Sequence, residues 1–84
     1  MNFIECELLR VFVGDKEKLH HRPIYELLVS EALDRGMAGD LPMVVEIVGT
    51  TEKIEAFLPF LETLLREAGA EVLVTRENVK QWTT

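Results

Sequence analysis

Residues 41–68 read LPMVVEIVGTTEKIEAFLPFLETLLREA, and the two halves of this stretch obey different periods. Leu41 to Val48 reads as a strand, with Pro42 at its opening, where a missing N–H removes no essential ladder bond. Thr50 or Thr51 caps a helix whose positive end carries Glu52 and Glu55. From there Ile54, Phe57, Leu58, Leu61, Leu64, Leu65 and Ala68 recur at helical spacing. Pro59 falls inside this pattern without disturbing its register, which predicts a kinked helix and not a broken one. Gly69 ends it.

Working outward, residues Cys6 to Val13 are rich in β-branched and aromatic types. Leu9, Val11 and Val13 share one face and Leu8 and Phe12 the other, so a central strand covered on both faces is expected, ended by Gly14-Asp15. Pro23 suits the first turn of a helix. After it, Ile24, Tyr25, Leu28, Val29 and Ala32 lie on one side, Glu26, Ser30 and Asp34 opposite, and Gly36 is placed as a left-handed terminator. Glu71 to Thr75 makes a last strand. The tail Arg76 to Thr84 is polar apart from Val79 and Trp82, and a Trp so placed packs on its own subunit or a neighbour. The order is β-α-β-α-β: one α+β domain over residues 1–84, a single sheet covered by two helices.

An 84-residue chain buries only a little over ~60% of its unfolded surface, so self-association is a natural way to bury more. A single cysteine, Cys6, rules out an internal disulfide framework and fits a reducing compartment. The apolar runs are too short to span a bilayer, and Met1 to Glu5 lack the layout of a signal peptide, so a cytoplasmic protein is expected. Net charge is −6, the wrong sign for a nucleic-acid partner.

Several segments resemble one family. Leu8-Leu-Arg-Val-Phe-Val-Gly14, Arg22-Pro-Ile-Tyr-Glu26 and Gly36-Met-Ala-Gly39 resemble the opening of the domain of unknown function 190 family. Asp40-Leu-Pro-Met-Val-Val-Glu-Ile-Val48, Glu52-Lys-Ile-Glu-Ala-Phe-Leu-Pro59 and Leu73-Val-Thr-Arg-Glu-Asn-Val79 resemble its second half and closing strand. The resemblance implies a ferredoxin-like, PII-like βαββαβ sandwich that forms trimers, binds small ligands between subunits and signals through a long mobile loop. It also implies a membrane transporter or channel as a partner, since some members occur beside or fused to fluoride exporters.

One departure stands out. The family places a further strand and the mobile loop between the Gly-x-Ala-Gly turn and the Asp-Leu-Pro strand, and nothing of the kind separates Gly39 from Asp40. Either a longer segment of the natural chain is missing from these 84 residues, or the unit is lacking and the sheet is rearranged. A short turn from a helix straight into the Leu41 strand would favour a right-handed parallel crossover.

No motif names a reaction. Gly14-Asp15-Lys16 has neither Walker nor dinucleotide-fingerprint spacing. Cys6, flanked by Glu5 and Glu7, reads as a buried structural thiol. Glu62, Glu67 and Glu71 show no acid–base pairing. Adjacent His20 and His21 do not make a closed metal set, and no metal or cofactor is expected. The candidates for holding an anion, a nucleotide included, are Lys16, Lys18 and Arg22 before the first helix, Arg10 in the first strand, and Arg76 and Lys80 after the last. In PII proteins, basic residues near that strand help to hold nucleotide phosphates. Three classes remain open: a PII-like ligand-sensing regulator, a purely structural or oligomerisation module, and a small enzyme of the acylphosphatase type. The last is disfavoured, because the loop holding Arg22 lacks the glycine spacing and Asn78 stands at the chain's end.

Overall fold

The computed structural model describes residues 2–13, 18–40, 44–70 and 72–83. In chain order these form β1 (Asn2–Phe12), β2 (Lys18–Leu19), β3 (Arg22–Pro23), α1 (Ile24–Asp34), β4 (Ala38–Asp40), β5 (Val44–Gly49), α2 (Thr51–Ala68) and β6 (Leu73–Thr83). Strands β4-β5-β1-β6 make one antiparallel sheet, while β2 and β3 form a separate small hairpin. This is the ferredoxin-like, PII-like arrangement. β1 is central, between β5 and β6.

The β-α-β-α-β order expected from the sequence gains a strand. Ala38-Gly39-Asp40 pairs antiparallel with β5, with Ala38 opposite Val48, Gly39 opposite Ile47 and Asp40 opposite Glu46. The chain therefore reverses once more between α1 and β5, and β5 runs antiparallel to β1 instead of parallel to it. That reversal removes the parallel crossover and leaves the sheet unrearranged. The close approach of Met37 to Gly49 fixes the junction: a Cβ on Gly49 would lie 2.7 Å from the Met37 Cγ and Sδ. Leu41 to Met43, expected to open β5, lie outside the described residues, as do Gly14-Asp15 and Glu71.

Both helices carry the expected faces and stops. Ile24, Leu28 and Ala32 of α1 and Ile54, Phe57, Leu61 and Leu64 of α2 are buried against Leu9, Val11, Val45 and Ile47 of the sheet. Thr50 caps α2 by accepting from the Lys53 N–H at 3.3 Å. Gly36 (φ 77°) and Gly69 (φ 63°) end the helices. At each, two N–H groups turn back, Met37 to the Ala32 carbonyl and Gly36 to Leu33, then Ala70 to Leu65 and Gly69 to Arg66, the paired bonds of a Schellman cap. α2 runs unbroken through Pro59. Arg35 ties the helices together: it accompanies Glu31, donates to the Ala56 carbonyl at 3.0 Å and lies 5.5–5.6 Å from the Phe57 and Phe60 rings.

The sheet corrects two expectations. The last strand does not stop at Thr75 but continues to Thr83, and its residues pair with β1 along its whole length. β1 is also not covered on both faces. Its helix-facing residues Leu9 and Val11 are fully buried, whereas Phe12 on the other face is 40% exposed and its neighbour Leu73 is 62% exposed.

Candidate functional site

Because β5 begins its ladder with β1 only at Glu7, residues 2–6 of β1 pair with 79–83 of β6 alone. The result is a two-stranded arm extending from the sheet, in a molecule 42 Å long and about 22 Å across. Directly opposite residues share a face. Phe3 and Trp82 form one such pair, 57% and 53% exposed, and Ile4 is exposed on the other face, opposite Gln81. An isolated two-stranded ribbon is marginal in water, so these apolar groups lack the cover that a third element would supply.

The same two strands hold the charged residues singled out in the sequence. On the uncovered face Arg10 lies between Glu46 of β5 and Glu77 of β6, with its Nε 2.9 Å from Glu46 and its Nη1 against Glu77. These carboxylates, chiefly the hydrogen-bonded Glu46, raise the Arg10 pKa above its ordinary value. On the helix face Arg76 donates twice to Glu7, at 2.9 and 3.0 Å, and once to Glu55 of α2 at 2.9 Å. Glu7 is a buried carboxylate, 7% exposed. The Arg76 hydrogen bond holds its pKa below 4.5 against the opposing effect of burial, with help from Thr51. The Arg76 pKa is raised for the reciprocal reason, first through Glu7 and then Glu55. Lys80 stands 4.0 Å from Glu5, both largely exposed.

The candidates thus fall into two places. Arg10, Arg76 and Lys80 share the β1–β6 seam, but Arg10 projects to the uncovered face and the other two to the helix face, since Arg10 is opposite Thr75 and Leu9 opposite Arg76. Lys18 and Arg22 are on the β2–β3 hairpin and exposed, and Lys16 lies outside the described residues. Sequence reasoning placed the arginines but not their partners: Glu46, Glu77, Glu7 and Glu55 are brought in by strand register and by α2 crossing the sheet, and no local spacing announces them.

At the seam both arginines stand in ion pairs that are partly open to solvent. The outer edge of Arg76 is shared with Glu55, whose side chain is more than half exposed, and an exposed carboxylate is a weak competitor. An incoming phosphate or carboxylate could take that edge while Glu7 keeps the guanidinium in place. Cys6 is buried, with its sulfur 3.5 Å from the Gln81 Oε1. Among the described residues no three His, Cys, Asp or Glu side chains gather as a metal would require, and no helix is long and apolar enough to cross a membrane.

In sequence the chain is similar to known proteins. A "UPF0166 protein" of Aquifex aeolicus (strain VF5) is 29% identical over 84 aligned positions, covering 69% of this chain and 80% of the relative. The sequence model of the DUF190 family, described as uncharacterized ACR, COG1993, matches in two pieces, residues 6–40 and 37–81. The pieces meet at Met37–Asp40, where the short β4 stands in the fold. Together they span most of the sheet and both helices, and the chain belongs to the DUF190 family.

Proposed function

We propose that the protein is a non-enzymatic, PII-like cytoplasmic regulator: a homotrimer that binds a small anionic ligand, a nucleotide or a simple anion, between subunits and modulates a partner protein. The observation that carries this reading is the uncovered sheet face with its projecting arm. Phe12 and Leu73 at one end of that face, Ile4 on the arm at its other end, and Phe3 and Trp82 on the arm's opposite face are exposed apolar groups that assembly would cover. β6 adds an eleven-residue edge strand, a ready template for another chain. Arg10, Arg76 and Lys80 lie along the same two strands, so assembly through them would set these cations at a subunit boundary. A ligand there would act by differential affinity for two arrangements of the assembly. The family resemblance makes a membrane transporter or channel the partner to try first.

A second reading is supported by the ion pairs themselves. Arg10 and Arg76 are already matched to carboxylates, as they would be in an oligomerisation module with no ligand. Sedimentation equilibrium and thermal denaturation with adenine nucleotides, phosphate, sulfate and fluoride separate the two. The regulator predicts a species of three times 9.6 kDa whose melting point rises with at least one of these ligands, by about 2.7 kcal/mol of stabilisation at a hundred times its Kd. A trimer indifferent to the whole panel would leave only the module. A monomer at every concentration would overturn both.

A further inference from the structure

Behind the β2–β3 hairpin lies a cavity separate from the β1–β6 seam. It measures about 340 Å³, within the ~300–1,000 Å³ range of small-molecule sites. Its floor is hydrocarbon: Leu19 of the hairpin, Leu27 of α1, and Phe60 and Leu64 of α2. Around it stand His20 and Arg22 on the hairpin side and Thr63 and Glu67 on α2. Arg22 and Glu67 thus line one cavity with opposite charges, yet no ion pair within 4.0 Å joins them.

The hairpin holds this arrangement against its own backbone preference. His20 and His21 both adopt left-handed backbone, φ 52° and 69°, in a two-residue turn where Asn-Gly is the usual choice. Such conformations at non-glycine residues are strained and cluster at ligand sites. Their effect is to make Leu19 and Arg22 a direct cross-strand pair, which puts both on the same side of the hairpin. Leu19 supplies floor and Arg22 supplies charge to the same space.

We infer that this cavity binds a free α-amino acid with an apolar side chain. The floor takes the side chain, the Arg22 guanidinium takes the carboxylate in a two-pronged bond, and the Glu67 carboxylate takes the ammonium group. Thr63 and His20 offer further hydrogen bonds. A simple carboxylate or phosphate would satisfy Arg22 and be repelled by Glu67; an amine would meet the reverse. The zwitterion is the class that meets both charges and the hydrocarbon at once. The site is built within one subunit, so it stands whether or not the chain forms trimers.

The test is a titration of ¹⁵N-labelled protein with L-leucine, 4-methylpentanoate and 3-methylbutylamine, which share one hydrocarbon body and differ in their charged groups. L-Leucine is expected to shift the amide signals of Leu19, Leu27, Phe60 and Leu64, and to bind about tenfold or more tightly than either analogue. Arg22→Gln and Glu67→Gln should each weaken leucine binding by about tenfold or more with the far-ultraviolet dichroism unchanged. Leucine shifts absent at millimolar concentration, or 4-methylpentanoate binding as tightly as leucine, would overturn the proposal. The analogue series uses the unmodified protein, so the outcome does not depend on a variant folding.

Discussion

Replacing Pro59 with alanine tests how α2 is held. Pro59 is the ninth residue of an 18-residue helix and lies on its exposed side. Its ring nitrogen has no hydrogen, so the Glu55 carbonyl loses its helical donor, and the ring crowds that carbonyl. In a helix interior proline is about 3 kcal/mol less favourable than alanine. Exposure decides how much of this is recovered: truncating an exposed ring gives up little packing. Against the gain, alanine frees the unfolded chain, which offsets about 0.4–1 kcal/mol. Pro59→Ala should therefore stabilise the protein by about 2 kcal/mol. For a domain of 84 residues, each kcal/mol moves the melting temperature by about 4–8 °C, so a rise of roughly 8–16 °C is expected. Urea titration should show a higher midpoint with unchanged slope. An unchanged or lowered midpoint would refute the reasoning, because the ring would then have to be held by contacts outside the single chain.

Other perturbations read individual features. Gly69→Ala should destabilise by about 1–2 kcal/mol through backbone strain alone, since nothing lies within 4 Å of the added Cβ and φ is +63°; a neutral result in chemical denaturation would show that the left-handed cap is not required. The double change His20→Asn, His21→Gly should stabilise by about 1 kcal/mol, and a loss of stability would mean that the histidine side chains hold the hairpin. Glu7 contributes to the acid limb of the stability curve. Its pKa is depressed in the folded state below 4.5, so its contribution is complete above 4.5 and disappears as pH falls through the depressed value. Wild type and Glu7→Gln should differ in denaturation midpoint at neutral pH and converge in acid, whereas a constant gap would contradict the pairing with Arg76.

Helices and their ends are legible in the sequence because each is written locally. The apolar spacing of Ile54, Phe57, Leu61 and Leu64, the hydroxyl of Thr50 and the glycines at 36 and 69 each act within a turn or two. What stays hidden is set at long range. Arg76 to Thr83 reads as a polar tail, yet it is strand, because an edge strand with solvent on one side needs only backbone pairing with β1 and tolerates Glu77, Asn78 and Lys80. The β2–β3 hairpin carries His-His where the recognisable signal would be Asn-Gly. The uncovered face is hidden in the sequence because alternation in Cys6 to Val13 is apolar on both sides; only the placement of both helices on one side distinguishes Leu9 from Phe12.

The shortest strand has the largest topological consequence. Ala38-Gly39-Asp40 contains two residue types that strands avoid, and β5 imposes its pairing. Its function in the fold is direction. Its antiparallel pairing with β5 goes with a β5 that runs antiparallel to β1, with Val44 beside Phe12 and Glu46 beside Arg10. A strand of three residues accomplishes this as fully as a long one, because strand direction depends on the number of reversals and not on the length between them. Arg10, Arg76 and the arm stand on β1 and β6, and Glu46 on β5 and Glu55 on α2 complete the two clusters, all outside the segment that joins β4 to β5. Ligand recognition at the β1–β6 seam or the hairpin cavity, as proposed above, therefore does not depend on the length of that segment.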